Sequence, residues 1–63
     1  MRAQKPTPAA VKKIREQLGL TQAGAAELLQ CTRRTYISWE TGARKIQPTI
    51  FRWFAEQAAK ASS

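Results

Sequence analysis

The fold of this chain is decided by residues 20–42, LTQAGAAELLQCTRRTYISWETG. Thr21 and Thr32 each stand where a helix can begin, because a threonine hydroxyl accepts a hydrogen bond from the backbone N–H groups that a first helical turn leaves free. Gly42 predicts the end of the second helix, since glycine readily adopts the left-handed backbone of a helix C-terminus. These signals predict helices over residues 22–29 and 33–41. Because the turn between them is short, the two helices must fold on one another.

A third helix is predicted ahead of this stretch. Thr7-Pro8 is typical of an N-cap followed by proline at the first helical position. One apolar face follows at i, i+3 and i+7, and the helix ends near Gly19. The residues of this face are Val11, Ile14 and Leu18. Residues 1–6 carry positive charge without apolar periodicity, so we predict a flexible basic arm there and a single domain at residues 7–61.

The last helix is predicted to begin at Pro48 or Thr49. The stripe expected to face the core follows at i, i+3, i+4 and i+7. Its members are Ile50, Trp53, Phe54 and Gln57. Phe51 falls beside that stripe. The whole pattern predicts an all-α chain of four helices, with a fifth turn at most.

Composition restricts the function more than the fold. The 63 residues carry a net charge of +7, which favours a polyanionic partner, either nucleic acid or an anionic membrane surface. Histidine and aspartate are absent, and Cys31 is the single cysteine. A hydrolytic triad, a structural zinc site and an internal disulfide therefore lack their residues. We expect no enzyme activity, no cofactor, no metal, no membrane-spanning segment and a reducing, cytoplasmic setting.

An ordered set of residues runs through the centre of the chain: LGLTQ at 18–22, Ala26, Leu29, the turn at 30–32, Tyr36 and WETG at 39–42. With these residues, the chain resembles the lambda-repressor-like (Cro-type, XRE) family of bacterial and phage regulators. The resemblance implies an all-α DNA-binding domain of four to five helices, with a helix-turn-helix at about residues 22–41. It also implies double-stranded DNA as the partner, in a bacterial cytoplasm or nucleoid. RRTYISWETG, residues 33–42, is further similar to small phage autorepressors, including those encoded beside anti-CRISPR genes.

In this family the second helix of the motif lies in the major groove, and its N-terminal residues face base edges. The resemblance therefore assigns base contacts to Arg33 and Arg34, because arginine suits the O6 and N7 acceptors of guanine. The alternative is that one of the two binds phosphate without reading sequence. Ser38, one turn further along, is predicted as a third base or phosphate contact.

The resemblance also assigns contacts to the DNA backbone. Relatives use a glutamine at the start of the first helix of the motif, and cations just past its second helix, to bind phosphate. Tyr36 stands where the family usually has isoleucine or valine, so we expect its ring to pack and its hydroxyl to reach water or a phosphate. The predicted phosphate contacts are Gln22, Thr32, Thr35, Tyr36, Arg44 and Lys45.

Four further residues are expected to have structural roles. Arg15 matches an arginine that forms a partly buried ion pair with Glu40 in relatives. Gln30 stands in the turn at a position often held by glycine, because the backbone there tends to be left-handed; a glutamine in that conformation costs on the order of 1 kcal/mol. Trp39 is predicted as a core residue and not as a platform for base stacking.

Relatives pair so that two recognition helices lie one DNA turn apart on an inverted-repeat operator. We therefore predict a homodimer, with Phe51 and Trp53 at its two-fold interface; the alternative is that both belong to the core. The leading interpretation is a repressor of its own or a neighbouring promoter, with no small-molecule ligand. The competing ones are an antitoxin-like protein-interaction module and a basic membrane-surface binder, the latter disfavoured by the recurring helix caps.

Overall fold

The computed structural model describes residues 5–62, apart from the side chain of Ser62. In this range the chain forms four α-helices and no strand. They are α1 (Pro8–Gln17), α2 (Gln22–Leu28), α3 (Arg33–Thr41) and α4 (Pro48–Ser62). The all-α prediction is confirmed. Most of the predicted N-terminal arm, residues 1–4, lies outside the described range.

A threonine hydroxyl caps each of the first three helices, as the sequence predicts. Thr7 accepts from the backbone N–H three residues on at 3.2 Å, Thr21 at 3.0 Å and Thr32 at 3.1 Å. Each bond satisfies one of the donors that a helix N-terminus leaves free. The helix bounds follow from these caps, and α2 ends one residue earlier than predicted because Leu29 is its C-cap.

Glycine and glutamine take the left-handed conformations that the turns require. Gly42 closes α3 with φ of 89°, and the backbone N–H groups of Gly42 and Arg44 both donate to the carbonyl of Ser38. Gln30 has φ of 58° in the turn between α2 and α3. The strained backbone predicted for Gln30 is therefore present.

The core is centred on Tyr36, whose side chain is fully buried. Its ring meets those of Trp39 and Phe54 edge to face, with ring centroids 6.3 Å apart in both pairs. Trp39 is 8% exposed, which confirms it as a core residue. The small residues Ala25 and Ala26 are buried beside these rings, so α2 can approach α3 closely. The remaining core residues are Val11, Ile14, Ile46, Phe51, Phe54 and Ala58.

The predicted core stripe of α4 is right for Phe54 and in part for Ile50, but it wrongly includes Trp53 and omits Phe51. Phe51 is 5% exposed and belongs to the core, whereas Trp53 is 43% exposed. The buried stripe is Phe51, Phe54 and Ala58, at i, i+3 and i+7. Both stripes share Phe54 and both have helical spacing. Periodicity therefore cannot choose between the two stripes. The choice depends on the packing of α4 against α1.

Within residues 5–62, no helix combines the length and the apolarity needed to span a bilayer.

Candidate nucleic-acid interface

Helix α3 has a buried face and an exposed N-terminal turn. Tyr36 and Trp39 anchor the buried face, and α3 packs against both α1 and α2. Arg33 and Arg34 are exposed in the first turn, directly after the Thr32 cap. The helix is therefore packed on one side, and the two guanidinium groups on its N-terminal turn have no ion-pair partner among residues 5–62.

Hydroxyl groups occupy the same end of α3. The hydroxyls of Thr32 and Thr35 are hydrogen-bonded to each other at 2.9 Å. Ser38, one turn on, donates from Oγ to the carbonyl oxygen of Thr35 at 2.6 Å. Thr35 and Ser38 are half-buried, and Thr32 is exposed. All three hydroxyls thus have fixed partners in the free protein.

The predicted ion pair between Arg15 and Glu40 is present. Arg15 Nε donates to Glu40 Oε2 at 2.6 Å, and the two side chains are 16% and 6% exposed. Arg15 also donates from a terminal guanidinium nitrogen to the carbonyl of Leu20 at 2.9 Å. The pair therefore joins α3 to α1 and to the segment that precedes α2.

Two further side chains donate to the Glu40 carboxylate. Gln22 Nε2 donates to Oε1 at 3.2 Å, and the Tyr36 hydroxyl donates to Oε2 at 2.5 Å. The prediction that Tyr36 contacts a phosphate is wrong, because its side chain is fully buried and its hydroxyl is bonded to Glu40. The spacing of Tyr36 and Glu40, one helical turn apart, was the signal available in the sequence.

The pKa values of the three ionisable groups reflect this arrangement. Burial disfavours the Glu40 carboxylate, but hydrogen bonds from Arg15, Tyr36 and Gln22 outweigh it and lower the pKa of Glu40. The hydrogen bond to Glu40 raises the pKa of Arg15. Burial, followed by the bond to Glu40, raises the pKa of Tyr36. At neutral pH the set is a carboxylate with one cation and two neutral donors, so it is electrically balanced.

The basic loop after α3 supplies two more free cations. Arg44 and Lys45 are exposed and follow the Gly42 C-cap directly. Among the described residues, Arg15 is the one cation paired with a carboxylate. The charges of Arg33, Arg34, Arg44 and Lys45 are therefore not neutralised within that part of the chain.

A second exposed surface, apolar in character, is formed by the end of α2 and the start of α4. Trp53 is 43% exposed and Leu28 is 37% exposed, the two large apolar side chains with the most exposure among the described residues. They line one shallow groove together with Leu29, Gln30, Thr49 and Ile50. Of the two residues predicted at a two-fold interface, Trp53 is therefore accessible to a partner, whereas Phe51 is buried.

Comparison with known proteins agrees with this geometry. Residues 11–60 match the sequence model of a helix-turn-helix family. The type II methyltransferase M.MspI of Moraxella sp. is 32% identical over 50 residues, which are 79% of this chain and 12% of that protein. The chain thus spans a small part of the length of this relative. No solved structure gives a significant match.

Proposed function

The chain belongs to the lambda-repressor-like helix-turn-helix family of DNA-binding proteins, and we propose that it acts as a dimeric repressor of its own or a neighbouring promoter. Its target in this proposal is an inverted repeat in double-stranded DNA, read through the major groove. Such a target would place the protein in the bacterial cytoplasm or nucleoid.

The observation that carries the proposal is the pair of exposed arginines on the first turn of α3. Tyr36 and Trp39 bury the opposite face of the helix, so its N-terminal turn is free to enter a groove. Arg33 and Arg34 then present donors in the fork geometry that fits O6 and N7 of guanine, worth about 1–3 kcal/mol of discrimination for each bidentate pair. The Thr32 cap fixes where this turn begins.

Contacts to phosphate complete the proposed interface. Arg44 and Lys45 are exposed and unpaired with described carboxylates, so they can release counterions from DNA. Gln22 stands at the first position of α2 and donates one amide hydrogen to Glu40, which orients the amide and leaves its second hydrogen for a phosphate. Thr32 and Thr35 add hydroxyls at the N-terminus of α3, where the helix dipole favours an anion.

Pairing of two copies is proposed through the groove that contains Trp53 and Leu28. Large exposed apolar side chains that share one groove are typical of protein contact sites. A single helix-turn-helix reads few base pairs, and a second copy doubles the sequence that is read. The same groove would serve the alternative function, an antitoxin-like module that binds a different protein.

Repression would follow from occupancy. A dimer seated over promoter elements excludes polymerase sterically, and protein concentration would be the signal. The match to a methyltransferase does not extend methyl transfer to this chain, because the matched segment is 12% of that protein.

Selection of bound sequences from randomised duplex DNA tests the proposal. The proteins to compare are the wild type, Arg33→Ala and, as a matched control, Arg52→Ala, which removes an exposed arginine from α4. We expect the wild type and the control to enrich the same inverted repeat, and Arg33→Ala to lose its preference for a guanine in each half.

Other results would change the assignment. A motif that Arg33→Ala enriches unchanged would reduce Arg33 to a phosphate contact. A motif without two-fold symmetry would contradict the dimer. No enriched motif at all would overturn the repressor proposal and favour the protein-interaction module.

A further inference from the structure

We propose that Ser38 meets DNA as a hydrogen-bond acceptor and reads the exocyclic amino group of an adenine or a cytosine in the major groove. The inference rests on the proposed function, since it requires that α3 enters the groove. It goes beyond that function by giving the chemistry of the group that one side chain recognises.

The argument begins with the direction of one hydrogen bond. Ser38 Oγ and the carbonyl oxygen of Thr35 are 2.6 Å apart. A carbonyl oxygen accepts and has no hydrogen to give, so the hydrogen in this contact belongs to the Ser38 hydroxyl. A hydroxyl has one hydrogen and two lone pairs. Ser38 has therefore used its donor inside the helix and retains acceptor capacity.

The surrounding backbone fixes the position of Ser38 in α3. Its own carbonyl accepts from the backbone N–H groups of Gly42 and Arg44 at 3.1 and 3.2 Å, and these two bonds hold it whether or not the Thr41 hydroxyl also donates to it at 3.3 Å. The C-terminus of α3 is thus closed on the Ser38 carbonyl, which fixes the position of this residue. Its side chain is half-buried and so keeps part of its surface accessible.

An acceptor selects among the groups that DNA offers. Phosphate oxygens, guanine O6 and N7, adenine N7 and thymine O4 are all acceptors and would need the hydrogen that Ser38 has committed. The major-groove donors are the N6 amino group of adenine and the N4 amino group of cytosine. Ser38 can bind an amino group without breaking its bond to Thr35, whereas binding any of the acceptors breaks that bond.

Ser38 would then complement the arginines before it. Arg33 and Arg34 have donors alone, so their base partners are acceptors. One helical turn later, Ser38 supplies an acceptor to the same groove. In this proposal, α3 presents hydrogen-bond donors to the groove at its N-terminal turn and an acceptor one turn later.

Every base pair shows one amino group in the major groove, so base preference alone does not test this inference. The test removes single functional groups from the operator that the wild type selects. At the base pair whose preference depends on Ser38, 2-pyrimidinone replaces cytosine or purine replaces adenine, which deletes the amino group. In parallel duplexes, 2-aminopurine replaces guanine or 5-methyl-2-pyrimidinone replaces thymine, which deletes the carbonyl oxygen of the partner base.

Affinity for each duplex is measured with the wild type, Ser38→Ala and Thr41→Ala. Alanine favours a helix, so Ser38→Ala is expected to fold. Thr41→Ala is the matched control, since it removes another α3 hydroxyl that donates to a backbone carbonyl. We expect deletion of the amino group to weaken wild-type and Thr41→Ala binding about three- to tenfold more than Ser38→Ala binding, the size of one neutral hydrogen bond. The cytosine and adenine duplexes distinguish the two possible bases.

Four results overturn the inference. One is a carbonyl deletion that weakens wild-type binding more than Ser38→Ala binding, since this makes Ser38 a donor. Another is Ser38→Ala binding every duplex more weakly by the same factor, or changing no base preference, since either makes Ser38 a phosphate contact or a bystander. If the wild type selects no operator, the proposed function fails together with this inference. An operator whose amino-group deletions show no coupling to Ser38 removes the inference alone.

Discussion

At the scale of the residue, Gln30 shows how a single backbone angle affects stability. Its φ of 58° lies in the left-handed region that favours glycine. We expect Gln30→Gly to raise the free energy of unfolding by about 0.5–1 kcal/mol, since relief of strain exceeds the extra entropy that glycine gives the unfolded chain. Urea denaturation with an unchanged m-value measures the effect.

The control for this change is Ala43→Gly. Ala43 is exposed in the loop after α3 and has no positive φ, so glycine there relieves no strain and should slightly destabilise the protein. Equal effects of the two substitutions would show that the conformation of Gln30 costs nothing.

The roles of individual residues divide into those with a local signal and those without one. The caps at Thr7, Thr21 and Thr32 are local, because each acts on an N–H three residues away in its own helix. The bond between Tyr36 and Glu40 also lies within one helix. The bond from Gln22 to the same carboxylate spans 18 residues and joins two helices, so no periodicity predicts it.

At the scale of the element, the Glu40 carboxylate accepts hydrogen bonds from side chains of three helices. Its contribution to stability therefore depends on pH. We expect Glu40→Gln to lower the free energy of unfolding at pH 7 by about 2 kcal/mol, less than the loss for a fully buried pair. The folded-state pKa of Glu40 lies below its ordinary value of 4.5, so the ionised carboxylate stabilises the fold above that pH. This contribution is lost as the pH falls through the lowered pKa.

The measurement is the difference in the free energy of unfolding between the wild type and Glu40→Gln, taken from pH 7 down to pH 3. The difference should begin to shrink near pH 4.5, where the carboxylate of the unfolded chain takes up its proton, and should be lost as the pH falls through the lowered pKa of the folded state. Glu16→Gln is the control, since Glu16 is exposed on α1, and its free energy of unfolding should stay close to that of the wild type. If the difference in the free energy of unfolding between the wild type and Glu40→Gln stays constant over this range, the stabilisation by Glu40 does not depend on pH.

Helix bounds were predictable from the sequence to within a residue or so, and the orientation of α4 was not. The start of α4 has Ile50, Phe51, Trp53 and Phe54 within a turn and a half, so two stripes of equal apolar content compete. Burial of Phe51 follows from contact with residues distant in sequence. Capping is a local property, whereas the choice of a face depends on tertiary packing.

At the scale of the whole molecule, the exposure of Trp53 leads to a prediction about DNA binding by the proposed dimer. Trp53→Ala removes a side chain that is 43% exposed, so the protomer should remain folded. We expect affinity for the complete operator to fall at least about tenfold, while affinity for an isolated half-site stays the same. Sedimentation equilibrium and fluorescence anisotropy on the two duplexes measure these changes.

Arg52→Lys is the control for this variant, because it alters an exposed neighbour on α4 and keeps the charge. It should match the wild type on both duplexes. A loss of affinity for the half-site by Trp53→Ala equal to that for the complete operator would place Trp53 outside any dimer contact.

The net charge of +7 gives a second prediction for the whole molecule. Replacing both Arg44 and Lys45 by alanine should reduce the slope of log affinity against log salt by about 2 per protomer, because each cation bound to phosphate releases about one counterion. Preference among base sequences should not change. The same measurement on a variant with alanine at Lys12 and Lys13, two exposed cations of α1, should leave the slope unaltered. If the two variants have equal slopes, Arg44 and Lys45 do not contact phosphate.

The Glu40 carboxylate and its donors Arg15, Gln22 and Tyr36 form a cluster that also limits how the proposed DNA specificity can be re-engineered. An exchange of the entire recognition helix would discard Tyr36 and Glu40, and Arg15 and Gln22 would keep donors without an acceptor. A transplant confined to positions 33, 34 and 38 leaves that cluster complete. New operator specificities should therefore be obtained from libraries randomised at those three positions more readily than from wholesale helix swaps.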